Sequence, residues 1–192
     1  MRTLFLDVDG VLVDWLAGCH RLHGKRWSPG DATLQYWPYT FGPKGWDFYK
    51  DPAFDVELKD LFTGMNRNFW ASLGWMPDGP EILSKCERYF AGNVFLLSSP
   101  CHEDGTIDGR FDWINANMPK YRKRILVGDC KEAIAKAAGP DAVLLDDWDR
   151  NTNAWTEAGG TAIVCPRPWN SAYKKADDIM NVLDISLRNA ST

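Results

Sequence analysis

Arg2-Thr3-Leu4-Phe5-Leu6-Asp7-Val8-Asp9-Gly10-Val11-Leu12 opens the chain and decides how the rest is read. Residues 2–8 form a short apolar run that ends in acids. Such a run predicts a buried parallel strand with polar residues at its carboxyl end. Four later runs repeat the design: 94–98 (VFLLS), 124–128 (RILVG), 142–146 (AVLLD) and 161–165 (TAIVC). Helical patterns lie between them, at about 79–91, 109–117, 131–138 and 152–158. A last amphipathic stretch over 175–189 places Ile179, Val182, Leu183 and Leu187 at helical spacing. Strands alternating with helices predict an α/β fold, a Rossmann-like parallel sheet covered on both faces.

Ligands of such sheets bind beyond the carboxyl ends of the strands. Here those ends carry Asp7 and Asp9, Ser98 and Ser99, Gly128 to Lys131, and Asp146 and Asp147. Residues 15–78 interrupt the rhythm: they are rich in aromatics, Gly and Pro and lack strand-length apolar runs. The expected organisation is a core of 1–14 and 79–192 with a small, mainly helical cap, 15–78, inserted after the first strand. Helices are expected within 12–23 and 55–73.

The 192 residues suit one core with a modest insert. A composition 45% hydrophobic and 25% charged is that of an ordinary globular protein. No apolar run approaches the ~18 residues that span a bilayer, and Met1 leads directly into the first strand. The expectation is a cytoplasmic protein with no membrane partner. Five scattered cysteines without a CxxC pair argue against a disulfide framework or structural zinc. A net charge of −4 disfavours long nucleic acid and favours a small anionic substrate. The basic run Lys120 to Arg124 reads as a solvated helix end or loop.

The strand-end residues form a chemical set. A carboxylate at Asp7 can attack phosphorus and form an aspartyl-phosphate, splitting one hard displacement into two easier ones. Asp9 can protonate the leaving oxygen and later deprotonate water. Asp146 can join Asp7 around a hard cation, and Mg²⁺ favours such a set of one or two carboxylates. Lys131, opening a helix, can neutralise phosphate and the Asp7 carboxylate. Ser98 and Ser99 can donate hydroxyl and backbone N–H bonds to phosphate oxygens. Each piece alone reads as a turn, a cap or a loop; their order and shared position at strand ends carry the reading.

Together these motifs resemble the haloacid dehalogenase superfamily. Asp7-Val8-Asp9-Gly10-Val11-Leu12 is similar to its first motif, Leu97-Ser98-Ser99-Pro100 to its second, Lys131 to its third and Leu145-Asp146-Asp147 to its fourth. The resemblance implies a Rossmann-like core with a cap after the first motif, a Mg²⁺ cofactor, and the backbone carbonyl of Asp9 as a third protein ligand. The second acid, Asp9, implies a phosphatase rather than a dehalogenase. Within the superfamily the chain looks most like the 5′(3′)-deoxyribonucleotidases. Asp14-Trp15, Gly45-Trp46-Asp47-Phe48, Asn68-Phe69-Trp70-Ala71-Ser72-Leu73 and Met76-Pro77-Asp78-Gly79 carry that likeness. Trp15 in place of Phe, Ser98 in place of Thr and a longer stretch from Lys131 to Asp146 depart from it. The implied substrate is a (deoxy)nucleoside monophosphate, and a homodimer is allowed for.

Ten tryptophans are an unusual load, and six lie between residues 15 and 75. Aromatic faces can stack on a base, and Trp15 and Trp46 are the candidates. Trp27, Trp37 and Trp75 read as packing residues. His20 and His23 share a helix face without a further nearby ligand, and the adjacent Cys101-His102 is a poor dyad. Asn151 and Thr152 are expected to start the helix after the fourth strand, with Asn151 also placed to orient Asp146. Two alternatives remain: a phosphatase of another small phosphoester or oligonucleotide end, and a receiver-like domain phosphorylated on Asp.

Overall fold

The computed structural model describes residues 2–25, 54–101, 103–173 and 178–192. Five strands make a parallel sheet: β1 (Thr3–Asp7), β2 (Val94–Ser98), β3 (Ile125–Val127), β4 (Ala142–Asp146) and β5 (Thr161–Val164), in the order β3-β2-β1-β4-β5. β1 is the central strand. Its register sets Asp7 beside Leu97 on one side and Leu6 beside Leu145 on the other. The chain steps outward from β1 through β2 to β3, then returns to build β4 and β5 on the other side. The carboxyl ends of β1 and β4 therefore flank the reversal of strand order, where such sheets hold ligands.

Strand periodicity explains the two-sided core. Leu4 and Leu6 of β1 face one cluster, with Leu96, Val143 and Leu145, while Phe5 faces the other, with Leu97 and Leu144. α4 (Gly79–Phe90), α5 (Thr106–Asn117) and α8 (Ile179–Ser191) cover the first face through Ile82, Trp113, Leu183 and Leu187. α6 (Lys131–Ala138) and α7 (Asp149–Glu157) cover the second through Ala135 and Trp155. Each fully buried aliphatic side chain contributes about 1.5–3 kcal/mol, so a two-faced core of this kind holds β1 firmly.

The stretch between β1 and β2 contains short helices: α1 (Trp15–Leu22), α2 (Leu58–Leu61) and α3 (Arg67–Ala71). The helix expected from residue 12 starts at Trp15. Residues 8–13 instead form a tight turn closed by Leu12 N–H and Val13 N–H on the Val8 carbonyl. Asp14 then caps α1, its carboxylate accepting from Ala17 N at 2.9 Å. The single helix expected over 55–73 is two, because Asn66 caps α3 by accepting from Asn68 N and Phe69 N. α7 begins at Asp149, so Asn151 lies inside its first turn rather than before it.

The described helices between β1 and β2 join the hydrophobic cluster of the first face, with α3 against α5. Trp15, Leu16, Phe69, Trp70 and Leu73 join the cluster that contains Leu4 and Leu6. α3 and α5 are in close contact because Gly109 has no side chain: a Cβ there would lie 2.3 Å from the Arg67 carbonyl oxygen. Among the described residues no helix is long and apolar enough to cross a membrane.

Candidate active site

Lys131 is the organising residue. It opens α6 just after β3, and its side chain is 3% exposed. Nζ donates to Asp7 Oδ1 at 2.8 Å and to Asp146 Oδ2 at 2.7 Å. Asp7 ends β1 and Asp146 ends β4, so residues from two adjacent strand ends and one helix start meet at a single ammonium. Asp146 is fixed further by Trp148 N–H at 2.8 Å and by Asn151 Nδ2 at 3.0 and 3.2 Å. Asn151 thus orients Asp146, as expected.

Asp147 completes an acidic triad: one carboxylate oxygen from each of Asp7, Asp146 and Asp147 lies within 4.8 Å of the others, and all three residues are buried. Gly10 makes the approach of Asp147 feasible. Its φ is +76°, and a Cβ would lie 2.2 Å from Asp147 Oδ2. Trp169 Nε1 donates to the same oxygen at 2.5 Å, and Asn170 Nδ2 donates to the Asp147 carbonyl at 2.8 Å.

Electrostatics follow from this crowding. Burial, then the neighbouring Asp146, holds the Asp7 carboxyl well above the usual range, against the pull of Lys131. Burial and Asp146 likewise raise Asp147, against the Trp169 hydrogen bond and Arg167. Burial alone would lower Lys131, but Asp7 and Asp146 outweigh it and raise it. Three buried acids crowd the Lys131 ammonium, and acid outnumbers base there. Hard oxygen donors with that excess fit a divalent cation, which favours carboxylates and waters.

Asp9 lies two residues past β1, with its side chain 20% exposed. Ser98 ends β2 and is buried; Ser99 is half-buried, its Oγ donating to the Gly128 carbonyl at 3.4 Å. Trp15 lies in the core cluster at 6% exposure. Trp46, with Trp27, Trp37 and His102, lies outside the described residues. His20 Nδ1 and His23 Nε2 bond to the Leu16 and Leu61 carbonyls, and both rings pack on Phe54. Trp75 packs on Trp113, ring centroids 4.9 Å apart. Cys101 Sγ contacts Thr106 Oγ1 at 3.0 Å.

Two arginines in the site were not singled out from the sequence. Arg110 of α5 is 3% exposed, and its Nη1 donates to Asp9 Oδ1 at 2.5 Å. A signal was present: Thr106, Gly109, Arg110, Trp113 and Ile114 share the buried stripe of α5, so Arg110 occupies a position where an apolar residue is the norm. Arg167, in the Pro166-Arg167-Pro168 run just past β5, donates to the Gly10 and Val11 carbonyls at 2.7 and 3.0 Å. It also grips Asp78, the residue before α4, through two bonds of 2.6 and 2.9 Å. Its position beyond a strand end was the only sequence clue.

Neither a protein-family model nor a curated protein matches the chain. Solved structures do. A haloacid dehalogenase-like family hydrolase from Streptococcus pneumoniae aligns with a TM-score of 0.53 at 14% identity, over 95% of this chain and 90% of that one. A HAD-family hydrolase from Deinococcus radiodurans R1, solved with phosphate and sodium, gives 0.46 at 15% identity over 84% and 79%. A HAD-family enzyme from Bacteroides thetaiotaomicron, solved with magnesium and inorganic phosphate, gives 0.44 at 16% identity over 88% and 95%. At such identities the likeness is one of fold, and the Streptococcus pneumoniae structure carries it. The chain has the parallel α/β fold of haloacid dehalogenase-like hydrolases.

Proposed function

We propose that this chain is a Mg²⁺-dependent phosphomonoesterase that works through a phosphorylated Asp7. The observation that carries the reading is the bridge of Lys131 Nζ between Asp7 and Asp146, with Asp147 beside them, at the strand ends. Asp7 keeps a small opening to the site, 8% of its side chain. Its carboxylate oxygen attacks phosphorus, the P–O bond to the leaving alcohol breaks, and Asp9 gives that oxygen a proton. Asp9 then takes a proton from water as the water attacks the aspartyl-phosphate, releasing inorganic phosphate and restoring Asp7. Lys131 screens the carboxylate from the incoming phosphate charge. Asp7, Asp146 and Asp147, with the Asp9 carbonyl implied by the resemblance, would hold Mg²⁺, which supplies charge neutralisation at the transferring phosphoryl group. Ser98 and Ser99, at the end of β2, are assigned to the phosphate oxygens.

The substrate we assign is a (deoxy)nucleoside monophosphate. This rests on the motif likeness around Asp14-Trp15, Asn68 to Leu73 and Met76 to Gly79. Trp46 is the residue assigned to the base; Trp15, 6% exposed within the core cluster, is a packing residue rather than a stacking face. Phosphate release measured across nucleoside monophosphates and phosphosugars tests the assignment. Mg²⁺-dependent turnover that prefers nucleotides, and is lost in Asp7→Asn, is expected. Equal rates on phosphosugars would remove the nucleotide claim; full activity in Asp7→Asn would remove the mechanism.

A further inference from the structure

We infer that Arg110 is a positioning residue for Asp9, and that Trp70 in the exit of the insert sets the place of Arg110. This rests on the reading of Asp9 as the acid that protonates the leaving oxygen. Three contacts run in series. Trp70 is fixed by its Nε1 donating to the Met65 carbonyl at 2.7 Å. The Arg110 guanidinium lies over the Trp70 ring, 4.5 Å from the centroid. Arg110 Nη1 reaches Asp9 Oδ1 at 2.5 Å.

Fold stability does not explain this arginine. Its side chain is 3% exposed, and it sits in the buried stripe of α5 between Gly109 and Trp113. Its Nη2 is buried without a hydrogen-bond partner among the described residues. A buried cation with an unsatisfied nitrogen costs stability relative to an apolar side chain of similar volume. What the arrangement accomplishes is to hold one oxygen of Asp9. Asp9 sits past the end of β1 in a turn, and among the described residues no other side chain is hydrogen-bonded to its carboxylate. Without Arg110 the carboxyl would be free to rotate about its own side chain. A planar guanidinium clamped on an indole restricts that rotation more than a flexible ammonium would.

An acid that protonates the departing oxygen matters most when the leaving alcohol is poor. A misplaced Asp9 therefore lowers the rate on an alkyl phosphate much more than on an activated aryl phosphate, whose phenolate leaves without a proton. General acid catalysis contributes about 10²–10⁴-fold. In the full-length protein with Mg²⁺, the ratio of kcat for a nucleoside monophosphate to kcat for 4-nitrophenyl phosphate is expected to fall about 100-fold in Arg110→Met. Arg110→Lys should recover part of the ratio, and Trp70→Leu should lower it less than Arg110→Met. An unchanged ratio in Arg110→Met, or a ratio in the folded Arg110→Lys variant no higher than that of Arg110→Met, would overturn the role of Arg110; an unchanged ratio in Trp70→Leu would overturn the role of Trp70. Failure of the wild-type protein to turn over either ester would overturn the phosphatase reading and this inference with it.

Discussion

Lys131 and Arg167 are both buried cations beside the first loop of the chain, yet their surroundings differ in kind. Arg167 has a full set of partners: one carboxylate, Asp78, gripped at both oxygens, and the carbonyls of Gly10 and Val11. Charge is matched, and each of the three guanidinium nitrogens donates. Lys131 faces Asp7 and Asp146 with Asp147 alongside, so acid outnumbers base where water is excluded. The first arrangement is what folding alone would select. The second raises the Asp7 and Asp147 carboxyls out of their usual range and costs stability. Unbalanced buried charge marks the place where a charged partner is to be received.

Breaking the balanced group should cost most. Arg167→Met leaves Asp78 half-buried without its partner and frees the Gly10 and Val11 carbonyls. A loss of about 3–5 kcal/mol is expected by denaturant unfolding, the usual cost of halving a buried pair. A loss below about 1 kcal/mol would show that Arg167 is not a structural clamp. The unbalanced group should respond to cations instead. Mg²⁺ at about 100 times its dissociation constant should stabilise the protein by about 2.7 kcal/mol in a thermal melt, and Na⁺ at equal ionic strength should not. An unshifted melt would contradict the assignment of the acidic triad.

Asp7→Asn should move stability in the opposite direction from Arg167→Met. It removes one of three crowded acids while Lys131 keeps Asp146 as a partner at 2.7 Å. A gain of about 0.5–2 kcal/mol without Mg²⁺ is expected, together with loss of turnover. The smallest effect belongs to Asp184, away from the site. It accepts from Lys85 Nζ at 3.0 Å and Tyr89 OH at 2.8 Å, tying α8 to α4. The Tyr89 bond, then the Lys85 bond, hold its carboxyl below the usual range. Because the folded-state value is depressed, this tie is present above the ordinary carboxylate value of about 3.9 and is lost as pH falls through the folded value. Melting temperatures of the wild-type protein and Asp184→Asn should converge as pH is lowered through that window.

Much of the fold was legible because strand and helix periods are local. Leu4, Phe5 and Leu6 alternate between the two faces of β1 as the run predicts. Element bounds shifted where a single side chain intervened, as when Asp14 and Asn66 captured helix starts. Lys131, Asp7 and Asp146 were readable because each stands next to a strand end, a place that sequence marks. Arg110 was not read, although it sits in the apolar stripe of α5, because its partner Asp9 lies 101 residues away. Asp78 and Arg167 were equally unreadable as a pair, 89 residues apart.

By itself the sequence determined the five strands, their parallel alternation with helices, and the acids, serines and lysine at their carboxyl ends. Hydrophobic period and strand-end polarity are properties of neighbouring residues, and the chain writes them locally. The tertiary structure decided which acids share the Lys131 ammonium, that Asp147 joins Asp7 and Asp146 in one buried cluster, and which arginines hold the loop between them. Those choices depend on strand order and on approaches as close as Asp147 to Gly10. Only the folded sheet sets such distances, because it joins residues that the sequence keeps more than a hundred positions apart.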